Sequence, residues 1–138
     1  MKINDFLLKM WNDYCQLNPH INQVLNLIKA KEPNEIINDH IALRTFNHKK
    51  LNRHILSEYF LKNGYQAVED LTFTEKKLKA TYFIHSDPSL PRIFISELLL
   101  ENFSDSFCNI TNKKIDEIDV KSISDANLTS PPSPTALP

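Results

Sequence analysis

Asn38-Asp39-His40-Ile41-Ala42-Leu43-Arg44-Thr45-Phe46 carries two patterns at once. Ile41, Leu43 and Thr45 alternate with His40, Ala42 and Arg44, the two-residue period of a strand. One face is therefore apolar and suited to a core, and the other presents an imidazole, a small side chain and a guanidinium. That polar face either meets solvent, as in many antiparallel sheets, or lines a cavity, and alternation leaves both readings open. The same period turns Asp39 away from His40, as a residue that fixes the backbone where the strand starts.

Upstream, Phe6, Leu7, Met10, Trp11 and Tyr14 repeat at helical spacing and predict a helix over 3–16. Asn18 can cap a second helix with Pro19 in its first position. Ile21, Val24, Leu25 and Ile28 then form its apolar stripe, and Pro33-Asn34 ends it. Downstream, Leu51, Ile55, Leu56 and Phe60 predict a helix over 49–63, closed by Asn63-Gly64 with a left-handed glycine. Three strands follow, over 65–73, 78–85 and 92–98. They are separated by a turn at Thr74-Glu75-Lys76-Lys77 and by a loop whose Pro88 and Pro91 cannot sit inside a ladder. Phe107, Ile110, Ile115 and Ile118 give a thin helical stripe over 104–118. From Lys121 the chain is polar and then runs into Pro131-Pro132-Ser133-Pro134, a composition that predicts disorder.

The expected class is therefore α+β: two N-terminal helices and then a βαβββ string. Residues 1–120 are expected to form a single domain and 121–138 a disordered tail. The βαβββ string resembles one module of the vicinal-oxygen-chelate architecture. Such a module makes a cupped sheet and closes a metal-bearing cavity only with a second module.

Composition removes several function classes. Sixteen basic and 17 acidic residues are interspersed, leaving no stripe for nucleic acid and no polybasic segment for a membrane surface. Apolar runs such as Leu98-Leu99-Leu100 are far too short to span a bilayer, and Asp5 interrupts any leader-like start. A cytoplasmic protein is expected. Cys15 and Cys108 have no metal-binding spacing and read as free thiols. Gly64 is the single glycine, which excludes the glycine-rich phosphate loops of nucleotide enzymes. Serine and cysteine nucleophiles lack their local contexts.

The cavity reading has coherent chemistry. A neutral imidazole at His40 suits iron held by two histidines and a carboxylate. Arg44, two strand repeats along, can grip a carboxylate with two parallel hydrogen bonds. Glu97, ending the apolar strand 92–98, is either a further metal ligand or a carboxylate that reaches solvent or caps a helix. His85 can line a pocket, whereas His20, His48 and His54 suit surface or helix-end roles.

The 38–46 segment, together with Glu75-Lys76-Lys77-Leu78 and Arg92-Ile93-Phe94-Ile95-Ser96-Glu97-Leu98-Leu99-Leu100-Glu101, resembles the 2-oxoadipate dioxygenase/decarboxylase family over roughly residues 5–105. The resemblance implies an Fe(2+) enzyme that uses O2 to convert 2-oxoadipate, a small 2-oxo acid, to 2-hydroxyglutarate and CO2 in lysine breakdown. It matches His40 to the first metal-binding histidine and Arg44 to the substrate-binding arginine, with the other His and Glu ligands in a second module. No histidine follows Glu97 here. A truncated enzyme, a half that forms a homodimer, or an inactive small-acid-binding remnant would each fit that pattern. So would an oxygen-independent isomerase or lyase of the same architecture.

Overall fold

A 15-residue amphipathic run opens the computed structural model as α1 (Ile3–Leu17), and α2 (Ile21–Lys31) follows. The structure describes residues 2–119 apart from Pro33 and Glu35, so Pro33 of the expected stop and the expected tail over 121–138 lie outside the described residues. Asn18 takes a different role from the expected one. Its backbone N–H and its side-chain Nδ2 both donate to Tyr14 O, at 3.0 and 2.9 Å, so it closes α1 instead of opening α2. Pro19 and His20 form a turn, and α2 begins after them without a side-chain cap. The stripe Ile21, Val24, Leu25 and Ile28 has no buried member, and α2 as a whole buries none of its residues.

These helices belong to one compact unit, which ends at Asn38, and the described residues from Asp39 onward belong to a second. The second unit contains β1 (His40–Phe46), α3 (Arg53–Lys62), β2 (Tyr65–Phe73), β3 (Leu78–His85), β4 (Arg92–Leu98) and α4 (Asp105–Asp116), with a short 3₁₀ turn at Leu100–Asn102. This is the expected βαβββ module of vicinal-oxygen-chelate type, so the α+β class holds. The sheet order is β1-β4-β3-β2, with β1 parallel to β4 and the other pairs antiparallel. Parallel pairing cannot be made by a tight turn. The chain leaves β1 through α3, starts again at the far edge with β2, and fills the middle with two antiparallel connections.

Helix α3 packs on one face of this sheet, against β2 and β4. Ile93, Ile95 and Phe83 of the sheet and Leu56 and Phe60 of α3 are buried together there. Burying a side chain of this size contributes roughly 1.5–3 kcal/mol. The helix starts where Asn52 Oδ1 accepts the N–H groups of His54 and Ile55, each at 3.1 Å. It ends at Gly64, whose φ of +93° disfavours any side chain. A Cβ at Gly64 would also lie 2.7 Å from His85 Nε2, so the chain's one glycine answers two constraints.

A bulge between Ala67 and Glu69 breaks the alternation of β2 and leaves Val68 exposed. In α4, Ser104 accepts from Phe107 N–H at 3.3 Å, and Ile115 is the buried end of the thin stripe while Ile110 is exposed. No helix among the described residues is long and apolar enough to cross a membrane.

Candidate active site

Strand register decides which side chains can meet. In the parallel pair, His40 lies opposite Arg92, Ala42 opposite Phe94, and Arg44 opposite Ser96. Across the next pair, Phe94 lies opposite Tyr82 and Ser96 opposite Ala80. Cross-strand partners share a face. His40, Ala42, Arg44, Arg92, Phe94 and Tyr82 therefore lie on the face opposite the α3-packed core.

A hollow of about 280 Å³ opens on that side, lined by Asp39, His40, Ala42, Tyr82, Arg92, Ile93 and Phe94. Ala42 keeps it open, because a larger residue at that position would fill the space beside His40. Arg44 shares the face but not the lining, and its Cα lies roughly 13 Å along the strand from that of His40 at about 3.3 Å per residue. A long guanidinium side chain can cover much of that distance. Among the described residues Arg44 is exposed and has no hydrogen-bonded or ion-paired partner.

Asp39 is also at the site, contrary to the expected alternation. It precedes the first residue of β1, so the strand period does not govern it. Its Oδ2 lies 3.2 Å from His40 Nδ1, and its Oδ1 lies 3.6 Å from Arg92 Nη1. All three side chains are well exposed.

The structure does not bring Glu97 to His40. Glu97 lies opposite Thr45 in register, on the α3 side of the sheet. There Oε1 accepts from Arg53 Nη1 at 2.7 Å and Oε2 from the Arg53 backbone N–H at 2.9 Å. Arg53 Nε donates to Thr81 Oγ1 at 3.0 Å, its Nη2 lies 3.4 Å from Asp70 Oδ2, and Thr81 in turn donates to Asp70. The Thr81 hydroxyl, helped by Arg53, holds the Asp70 carboxyl below the usual carboxylate range. Glu97 is thus a buried carboxylate with both oxygens satisfied, and it caps the start of α3.

His85 and His48 serve the fold. The His85 ring packs edge-on against Tyr65, with centroids 5.1 Å apart, and Nε2 lies 3.2 Å from Asn63 O. Burial, with Asp87 nearby, pushes the Tyr65 hydroxyl up to about 12, and that hydroxyl donates to Pro91 O at 2.9 Å. His48 Nδ1 accepts the Lys50 N–H at 3.2 Å. Arg92, Tyr82 and Phe94 went unassigned by periodicity because their place at the site depends on which strands pair, and in what register.

A profile of the 2-oxoadipate dioxygenase/decarboxylase family matches residues 6–131. A chloroplastic/amyloplastic 2-oxoadipate dioxygenase/decarboxylase of Oryza sativa subsp. japonica is 36% identical over 114 residues, covering 74% of this chain and 31% of that protein. Among solved structures, a Shewanella frigidimarina NCIMB 400 protein described as a hydrolase superposes with a TM-score of 0.81 at 38% identity, covering 89% of this chain and 48% of that one. The hydroxyglutarate synthase of Oryza sativa, solved in complex with 2-oxoadipate, superposes with a TM-score of 0.75 at 30% identity, covering 91% of this chain and 45% of that one. The chain thus spans about a third of the length of the curated relative and just under half of each solved structure.

Proposed function

The chain belongs to the 2-oxoadipate dioxygenase/decarboxylase family, and on that premise we propose that it supplies one half of an iron(II)-dependent site for 2-oxoadipate. The reaction would take 2-oxoadipate and O2 to 2-hydroxyglutarate and CO2, as a step of lysine breakdown. The observation that carries this proposal is the single strand face that presents His40 at a hollow and Arg44 further along it.

His40 fits one donor position of a metal site, because Asp39 engages Nδ1 and Nε2 remains available. No group of three His, Cys, Asp or Glu side chains is gathered for a metal among the described residues. The remaining donors would come from a second module or from a second copy of the chain. When bound, the metal would hold the 2-oxo acid group and activate O2. Arg44 would take the far carboxylate through its planar pair of N–H donors. We place the protein in the cytoplasm, where two free cysteines fit a reducing compartment.

A second reading is an inactive module that binds a small acid through Arg44, whose guanidinium is exposed and has no partner among the described residues. Anaerobic Fe(II) titration of the whole chain separates the two. The proposal expects tight binding at one iron per two chains or on adding a second module, lost in His40→Ala. Arg44→Ala should keep iron and lose its response to 2-oxoadipate. A well-folded protein that binds no iron under either condition leaves the inactive module. O2 uptake on adding 2-oxoadipate distinguishes the oxidative reaction from oxygen-independent isomerase or lyase chemistry.

A further inference from the structure

Asp39 stands where the period of β1 does not yet apply, immediately before the strand's first residue. A carboxylate only accepts hydrogen bonds. A neutral His40 therefore meets Asp39 Oδ2, 3.2 Å from Nδ1, by carrying its proton on Nδ1. Nε2 is then the lone-pair nitrogen of a ring that lines the hollow. The other carboxylate oxygen faces Arg92 Nη1 at 3.6 Å, and Arg92 is fixed opposite His40 by the β1–β4 register.

We propose that Asp39 is the positioning residue of the site: it selects the Nδ1–H tautomer of His40 and orients the ring, and Arg92 steadies it from the neighbouring strand. Ligand histidines commonly donate their second nitrogen to a carboxylate in this way. The purpose of the arrangement rests on the iron-site proposal, whereas the geometry stands without it.

The same chain contains the opposite case. Asp87 N–H donates to His85 Nδ1 at 2.9 Å, which places the His85 proton on Nε2, facing Asn63 O. Two histidines with opposed tautomers provide an internal standard.

The test is nitrogen-15 NMR of the full chain labelled at histidine, near pH 8.5, roughly two units above the ordinary histidine pKa. Signals are assigned with His40→Gln and His85→Gln. His40 should report Nδ1–H and His85 Nε2–H. Asp39→Ala should move His40 to the Nε2–H form that an unconstrained imidazole favours and leave His85 unchanged, while Asp39→Glu should retain part of the Nδ1–H form. His40 already in the Nε2–H form, or unmoved in Asp39→Ala, overturns the proposal. In a parallel titration Asp39→Ala should weaken Fe(II) binding by about 10- to 100-fold. If the tautomer switches as expected but the unmodified chain binds no iron, the iron site fails and the positioning role survives.

Discussion

Two clusters of carboxylate and guanidinium are built on opposite faces of β4, Glu97 with Arg53 of α3 and Arg92 with Asp39. On the α3 side, Glu97 and Arg53 have 7% and 11% of their side chains exposed, and both Glu97 oxygens have donors. On the other side, Asp39 and Arg92 are 74% and 64% exposed and only loosely joined. Residue type is nearly the same in both clusters, so burial and satisfaction distinguish them. The first holds α3 to the sheet, and both oxygens of its buried carboxylate are already engaged. The second contributes little to folding, which leaves its groups free to meet a ligand.

The sharpest break in that contrast comes from Glu97→Ala. It strands the Arg53 guanidinium without its buried partner and should cost about 3–5 kcal/mol, read as a fall in the urea midpoint. Pairing it with Arg53→Met should recover much of the loss. A cost below about 1 kcal/mol for the single change would mean that this cluster, too, is effectively wet. Asn52→Ala comes next. It removes the acceptor for His54 and Ile55 N–H while Glu97 still holds the Arg53 N–H, so denaturation should shift by about 1 kcal/mol. Least of all, Asp39→Ala and Arg92→Ala should each leave stability within about 0.5 kcal/mol. A larger loss in thermal unfolding would give the exposed cluster a structural task and erase the distinction.

The elements of the second unit were legible because each is carried by local chemistry. β2, β3 and β4 fall at 65–73, 78–85 and 92–98 because alternation and turn residues bound them. Gly64 ends α3 because a positive φ is required there. His40 and Arg44 share a face because period two leaves no choice. Asn18 was expected to open α2, because a cap residue does not announce which helix it serves, and the Tyr14 carbonyl four residues back takes it instead. Two further features were out of reach because they depend on partners distant in the chain. Glu97 is 44 residues from Arg53, and no local pattern announces their pairing. Arg92 reaches the site only through the parallel register with His40. Asp39 was misplaced for the opposite reason, since a strand rule was extended one residue past the strand.

β1 is the outermost strand of the sheet, joined to β4 on its inner side and to no strand on its outer side among the described residues. Its outward ladder of amides and carbonyls is a ready template for another chain. A strand added there would seat its own side chains about 5 Å from those of β1. The border at which this sheet can be lengthened is thus also the border that carries the imidazole, and any newcomer docking along it becomes a neighbour of His40.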